Sequence, residues 1–150
     1  SEKYLREVQA IPGFERLYPA DLDAIPGTFD VISLIHVLEH IPSPLAFVRR
    51  LRARLNPGGL LLLEVPDCGQ NPYLLLVADH CSHFTPGLLG GVAAAAGLEV
   101  VTATHAQMPI FTYSTAHTVS TRTVTRIPRT DTPKNLLSAA CVVVIACAFI

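Results

Sequence analysis

The sequence predicts an α/β domain built on a mostly parallel sheet. Apolar runs typical of buried strands alternate with amphipathic segments typical of helices, and short turns rich in proline and glycine separate them. The chain has 150 residues, of which 50% are hydrophobic and 15% charged. This length and composition suit one ordinary domain with a buried core and argue against disorder.

The first elements are a helix over residues 2–10 and strands over residues 14–18 and 29–35. The run "FDVISLI" of the second strand is nearly all apolar, as expected of a strand covered on both faces. Ser43 and Pro44 then mark a helix start, with serine as the N-cap and proline in the first helical position.

The helix after Pro44 is predicted to be amphipathic. Leu45, Val48, Leu51 and Leu55 recur at helical spacing, and the arginines of "RRLRAR" take the other side. A nucleic-acid contact is the alternative interpretation of these arginines. The formal net charge of −1 favours a solvated helix face instead.

The next elements repeat this order. The turn "NPGG" ends the helix, and "LLLLEV" at residues 60–65 follows as a buried strand. Thr85 starts another helix as its N-cap, and Gly97 ends it. The run "LEVVTATH" at residues 98–105 is the next predicted strand.

The sequence changes in character after Met108. The threonine-rich segment 109–133 predicts an antiparallel strand or a hairpin, and residues 134–150 form an apolar tail. Its last 15 residues carry no charge, whereas a membrane-spanning helix needs about 20. Three interpretations stay open: a tail packed on the sheet, the start of a membrane span, and sequence foreign to the native domain. Residues 1–108 make up the main domain.

The four cysteines include no C-x-x-C pair and suggest no disulfide framework. We therefore predict a reducing, cytoplasmic location. The N-terminal segment lacks the apolar core of a signal peptide, and it also lacks an initiator methionine. The latter is compatible with processing or with a chain that begins inside a larger protein.

Polar groups follow the ends of three predicted strands. In an open parallel sheet, ligands bind just beyond the carboxyl ends of the strands, so these groups are expected to share one rim. They are Asp21, which is followed by the apolar Leu22, then His36, Glu39 and His40, and finally Asp67.

Two long segments carry a resemblance to a known family. They are "FDVISLIHVLEHIPSPLAFVRRLRARLNPGGLLLLEVPD" and "DHCSHFTPGLLGGVAAAAGLEVV". Their ordered motifs resemble those of class I S-adenosylmethionine-dependent methyltransferases, over residues 1–105. The resemblance implies a Rossmann-like sheet of seven strands, with the last strand antiparallel and helices on its flanks.

The resemblance also implies a reaction and a departure from the family. The cofactor would be S-adenosylmethionine, and the acceptor a small molecule such as a sugar or another metabolite. The family's first strand and glycine-rich turn would lie before Ser1, so the fold is expected to be truncated at the N-terminus. We expect residues 1–150 by themselves to bind cofactor poorly or not at all, and to be inactive.

Four cofactor-binding residues are implied by position within the family. Asp21 resembles the residue that accepts a hydrogen bond from the adenine amino group, and Leu22 resembles its apolar neighbour. Ile35 and His36 resemble the positions beside the methionyl part and the methyl group. Asp21 also suits a plain turn, because "PADLDAIPG" is rich in turn formers.

The candidate catalytic residues are His36, His40 and His80. An imidazole titrates near working pH and can act as a general base. A base matters only for a hydroxyl or acidic-carbon acceptor, because the sulfonium is already an activated leaving group and alignment supplies much of the rate. The resemblance places "DHCSHFT" in a loop over the acceptor pocket.

Alternative functions stay open at this point. Asp79, Cys81 and His83 surround His80 and allow a metal-dependent hydrolase, but the spacings H-x-x-H and H-x-x-x-H are common by chance, and no metal is predicted. A non-catalytic remnant of the fold, acting as an interaction module, is the other alternative. No nucleic-acid partner is predicted, and no membrane contact unless the tail spans. The sequence leaves the oligomeric state undetermined.

Overall fold

The computed structural model describes residues 7, 9–14, 22–108, 118–128 and 142–146. They fall into two compact units, the first comprising Ser1–Gly27 with Ala148–Ile150 and the second Thr28–Cys147. In the first unit, the structure describes helical backbone at Glu7 and Gln9, a turn over residues 11–14 and a 3-10 helix over Leu22–Ala24. Most of the predicted helix over 2–10 and strand over 14–18 lies outside the described residues.

The second unit is organised around a five-stranded sheet of order β3-β4-β2-β1-β5. Its strands are β1 (Phe29–Ile35), β2 (Leu55–Pro66), β3 (Glu99–Met108), β4 (Thr118–Arg126) and β5 (Val142–Ala146). β1 runs parallel to β2 and β5, and β4 runs antiparallel to β2 and β3. The sheet is therefore mixed, and its antiparallel strand falls in the threonine-rich segment.

β2 begins earlier than the sequence predicts. Leu55 pairs with Phe29 instead of continuing the preceding helix, so its assignment to the apolar face of that helix is wrong. The "NPGG" turn lies within β2, at an irregularity in its register with β1. Gly59 permits this close approach, because an added Cβ would lie 2.9 Å from the backbone oxygen of Asn56.

Two helices begin where the sequence places them, α1 (Pro44–Arg52) and α2 (Pro86–Ala95). Ser43 takes the N-cap position of α1 without a side-chain cap hydrogen bond. Thr85 caps α2, its Oγ1 accepting from the backbone N–H of Leu88 at 3.4 Å. Gly97 follows α2 with a φ of 78°, the left-handed conformation that ends many helices.

The helices bury one side each. Val48 and Leu51 of α1 are buried while Arg49 and Arg52 are exposed, which confirms the predicted amphipathic face. α1 packs on β2 and α2, and α2 packs on β3 and β4. The most deeply buried apolar side chains from the sheet and α2 are Ile32, Leu34, Leu61, Leu63, Val65, Leu89 and Ala93.

Part of the apolar tail belongs to the sheet. β5 pairs with β1 over five positions, from Val31 opposite Val142 to Ile35 opposite Ala146. This pairing favours the interpretation in which the tail packs on the sheet. Within the described ranges, no helix has the length and apolar character required to cross a bilayer.

Candidate active site

The site lies where β1 ends. After Ile35 the chain turns sharply through His36 into a 3-10 helix over Leu38–His40. His36 has a φ of 53° and is the one non-glycine residue with positive φ in the described part of the chain. Its backbone N–H still donates to the oxygen of Glu64 at 2.9 Å, so β2 fixes the position of this strained residue.

The ring of His36 lies between two buried carboxylates. Its Nδ1 is 3.5 Å from Oε1 of Glu39, and its Nε2 is 3.9 Å from Oε1 of Glu64. The contact with Glu39 raises the pKa of His36 above its ordinary value, although burial of the ring opposes this effect. The arrangement therefore stabilises an imidazolium at this position.

Glu64 is a fully buried charge in the middle of the sheet. Its Oε2 accepts a hydrogen bond from Nε of Arg122 of β4 at 2.6 Å and forms an ion pair with Nη2 of the same side chain, also at 2.6 Å. Its Oε1 is buried and makes no hydrogen bond to any residue that the structure describes. Oε2 of Glu64 thus contacts the arginine, and Oε1 faces His36.

Glu39 is the residue that connects the histidines. It is only 2% exposed, and its Oε1 lies 3.5 Å from Nδ1 of His36 and 3.8 Å from Nε2 of His40. Its Oε2 is buried and accepts no hydrogen bond from the described residues. A buried carboxylate oxygen without a donor is costly, by about 1–3 kcal/mol or more.

A loop between β2 and α2 covers this turn. Cys68 donates its backbone N–H to the oxygen of Phe84 at 2.9 Å, which closes the base of the loop. Ser82 donates its backbone N–H to the oxygen of Glu39 at 3.0 Å and its hydroxyl to the oxygen of Ile41 at 3.2 Å. These bonds attach the loop to the 3-10 helix.

The loop places two further polar residues against His40. Nδ1 of His40 is 3.0 Å from the backbone oxygen of Asp79 and 3.4 Å from its Oδ2. The rings of His40 and His80 meet edge to face, with centroids 5.1 Å apart. Burial lowers the pKa of His80 below its ordinary value, which favours the neutral imidazole.

The structure brings together the three histidines that the sequence analysis selected. His36 and His40 both face Glu39, and His80 packs on His40. Ile35, the last residue of β1, is 38% exposed and offers apolar surface at the same strand end. Their roles in catalysis and cofactor binding remain predictions.

The other predicted residues are Asp21, Leu22 and Asp67. Asp21 lies outside the described residues, and Leu22 belongs to the first compact unit. Asp67 has a structural contact, because its Oδ1 accepts the backbone N–H of Gly69 at 2.8 Å. Its backbone also forms a bridge to Phe84.

Sequence reasoning missed Glu64 and Arg122, and it placed Glu39 at the rim without naming it as a catalytic or binding residue. A signal for Glu64 was present, because it is the one charge in an otherwise apolar buried run. Arg122 had no comparable signal. Its partner is 58 residues away and becomes adjacent only through the pairing of β4 with β2.

The sequence profile of a methyltransferase domain matches residues 7–103 of the chain. The fold and this match define a Rossmann-like transferase domain. The chain belongs to the class I S-adenosylmethionine-dependent methyltransferase family, as predicted.

Named relatives agree with this family. The chain is 32% identical over 88 residues to a ubiquinone biosynthesis O-methyltransferase of Ralstonia nicotianae, covering 49% of the chain and 37% of the relative. It is 47% identical over 63 residues to a ubiquinone biosynthesis O-methyltransferase of Xanthomonas campestris, covering 41% and 26%. The chain thus spans well under half the length of these relatives.

Solved structures confirm the fold. A SAM-dependent methyltransferase of Methanosarcina mazei superposes with a TM-score of 0.59 at 12% identity, covering 85% of this chain and 77% of that one. Magnesium protoporphyrin IX methyltransferase of Synechocystis, with SAH bound, gives a TM-score of 0.59 at 14% identity, covering 85% and 57%. S-adenosylmethionine is accordingly the cofactor of the family. Neither the hydrolase nor the non-catalytic remnant finds support in these comparisons.

Proposed function

We propose that the protein transfers a methyl group from S-adenosylmethionine to a hydroxyl oxygen of a small-molecule acceptor. The family supports methyl transfer, and the names of the two relatives support an oxygen acceptor. The observation that carries the proposal is the ring of His36, held between Glu39 and Glu64 at the end of a central strand.

The reaction requires that the acceptor oxygen be aligned with the methyl group and that one group accept the hydroxyl proton. The acceptor oxygen forms a bond to the methyl carbon, the carbon–sulfur bond breaks, and its electron pair stays on sulfur. The hydroxyl proton passes to Nε2 of the neutral form of the His36 ring, whose Nδ1 faces Glu39. Glu39 and Glu64 stabilise the resulting imidazolium, in the way that a carboxylate supports the histidine of a catalytic triad.

Cofactor binding is assigned to the rim beside this histidine. When bound, S-adenosylmethionine supplies the activated methyl group. Ile35 is an exposed apolar residue next to His36 and fits the hydrocarbon part of the methionyl chain. Asp21 and Leu22 are proposed for the adenine end on the family resemblance alone.

The test uses protein expressed from its complete coding sequence, labelled S-adenosylmethionine and a panel of phenols, sugars and other alcohols. Transfer of label to a hydroxyl compound is expected. His36→Ala should lower kcat by about 100-fold or more, the usual contribution of a general base, and should lower the affinity for S-adenosylhomocysteine less than it lowers kcat. His80→Ala should mainly raise the acceptor's KM.

His83→Asn is the matched control. The ring of His83 contacts the backbone oxygen of Leu74 at 3.2 Å, and asparagine keeps a donor for it. Its kinetics should resemble those of the unchanged protein. A protein that binds cofactor but methylates no hydroxyl compound would contradict the proposal. Normal turnover in His36→Ala together with an inactive His80→Ala would transfer the proton-acceptor role to the loop histidine.

A further inference from the structure

A row of four side chains crosses the sheet beside His36. The paired positions are Ile35 with Glu64, Glu64 with Arg122, and Arg122 with Thr104. Residues paired directly across neighbouring strands point their side chains to the same face of the sheet. Thr104 is exposed and the arginine side chain is 43% exposed, whereas the glutamate side chain is completely buried. A ligand on this face therefore meets the guanidinium before the carboxylate beneath it.

Arg122 uses only part of its hydrogen-bonding capacity on Glu64. Its Nε and Nη2 both lie 2.6 Å from Oε2 of that carboxylate. A guanidinium carries five N–H donors, and Nη1 makes no hydrogen bond or ion pair within the described part of the chain. Glu64 thus holds the long side chain in one orientation. The ordering of the arginine therefore adds little to the cost of binding a further ligand at Nη1.

The other arginine of β4 binds its glutamate differently. Arg126 directs Nε to Oε2 of Glu99 and Nη2 to Oε1, so that each carboxylate oxygen has its own donor. That two-pronged contact is the usual geometry of an arginine that serves a carboxylate partner. Arg122 contacts one oxygen of Glu64 alone. The pair of Arg122 with Glu64 therefore leaves more of the guanidinium available to a second anion.

We propose that Arg122 and Thr104 bind an anionic group of the methyl acceptor, a carboxylate or a phosphate. A guanidinium is the side chain best suited to such groups, and the threonine hydroxyl on the neighbouring strand adds a donor. Nη2 of Arg122 and Nε2 of His36 lie 2.6 and 3.9 Å from the two oxygens of Glu64. One small molecule can therefore reach the guanidinium while its hydroxyl lies against the imidazole.

The inference rests on the proposed function and specifies its substrate class. The acceptors are hydroxy acids or phosphorylated alcohols, and neutral alcohols are poor substrates. Contacts at the anionic group hold the molecule in place while its hydroxyl is aligned with the methyl group, which is the contribution that methyl transfer requires from the protein. Binding of the anionic group can be measured without any methyl transfer.

Isothermal titration tests the site, with protein expressed from its complete coding sequence and S-adenosylhomocysteine present. The probes are meta-hydroxybenzoate with its neutral methyl ester, and glycerol phosphate with glycerol. The first pair tests a carboxylate and the second a phosphate. We expect the anionic member of at least one pair to bind about 10-fold to 100-fold more tightly than the neutral member. Its affinity should also fall as the ionic strength rises.

Two variants and one matched control locate the binding. Arg122→Lys keeps a positive charge beside Glu64 but lacks Nη1, and it should weaken the anionic probe about 10-fold and leave the neutral probe unchanged. Thr104→Val should weaken the anionic probe about 3-fold. Arg126→Lys is the control, because Arg126 is 38% exposed, pairs with a glutamate on the same strand and lies four residues, about 13 Å, from Arg122. It should keep the affinity of the unchanged protein.

The results separate the anion site from the reaction. Equal affinity for the charged and neutral members of both pairs overturns the site, and so do equal losses in Arg122→Lys and Arg126→Lys. If circular dichroism shows that Arg122→Lys does not fold, unchanged anion affinity in Thr104→Val overturns it. An anion preference that depends on Arg122, in a protein that methylates no hydroxyl compound, supports the site and contradicts only the proposed function.

Discussion

Arg122 and Glu64 lie directly opposite each other on neighbouring antiparallel strands, and Nε and Nη2 of the arginine both contact the same carboxylate oxygen. The carboxylate is completely buried, whereas the arginine side chain is 43% exposed. The pair therefore keeps a charge inside the sheet and leaves the other carboxylate oxygen facing His36.

Removing the arginine should destabilise the fold. Arg122→Met keeps the apolar stem but leaves the Glu64 charge buried and uncompensated, which we expect to cost about 3 kcal/mol in the free energy of unfolding. Urea denaturation measures it. The double variant Glu64→Leu with Arg122→Met should recover most of the loss, because it removes the buried charge as well. Equal losses in the single and double variants would show that the ion pair is not the cause.

The two helix N-caps should respond differently to substitution. Thr85→Val removes the hydroxyl that accepts from Leu88 and should destabilise the protein by about 1 kcal/mol. The side chain of Ser43 makes no such hydrogen bond. Ser43→Ala should therefore change the free energy of unfolding by only about 0.3 kcal/mol. Thermal unfolding of both variants checks the difference, and equal destabilisation would argue against a specific cap at Thr85.

Two glycines make a second matched pair. Gly59→Ala would place a Cβ 2.9 Å from the oxygen of Asn56 and 3.2 Å from those of Phe29 and Asp30, all of them backbone atoms. We expect a loss of about 1–3 kcal/mol, since the strands must separate to admit the methyl group. Gly87→Ala meets nothing within 4 Å in the first turn of α2 and should stabilise by about 0.5–1 kcal/mol. Chemical denaturation measures the change in the free energy of unfolding for both variants. An unchanged free energy in Gly59→Ala would show that β1 and β2 can move apart at this point at little cost.

The ion pair of Glu99 and Arg126 should make stability depend on pH. The hydrogen bonds from Arg126, at 2.9 and 3.2 Å, lower the pKa of Glu99 below its ordinary value. Its contribution is therefore present above the unfolded-state pKa of about 4.3 and is lost as pH falls through the lower folded-state value. The Tm of the unchanged protein should exceed that of Glu99→Gln near neutral pH, and the difference should vanish in acid. A difference that persists when the pH falls below the folded-state pKa of Glu99 would exclude titration of Glu99 as its source.

The helix starts and the central strands could be predicted from the sequence because their signals are local. Pro44 and Thr85 mark helix starts by backbone and capping chemistry, and the run at 29–35 is apolar throughout. The start of β2 was missed because Leu55 suits the apolar face of a helix as well as a strand. Its pairing with Phe29 makes Leu55 part of a strand, and strand pairing cannot be predicted from the local sequence.

The candidate site was predictable in outline only. His36 and His40 were expected at the rim because they follow a central strand, and they lie there. Glu39 lies between the histidines because it is buried and because the loop brings His80 to His40. The spacing of these residues along the sequence reveals neither fact. The position of Arg122 depends on strand order, which the threonine-rich segment does not specify.

The backbone of His36 has a consequence for how this sequence evolves. A φ of 53° costs a non-glycine residue about 1–2 kcal/mol, whereas glycine adopts it freely. The backbone strain by itself therefore favours His36→Gly, whereas the contacts of the ring with Glu39 and Glu64 and its proposed role in methyl transfer favour histidine. Libraries sorted for folding and libraries sorted for methyl transfer should diverge at this position before most others.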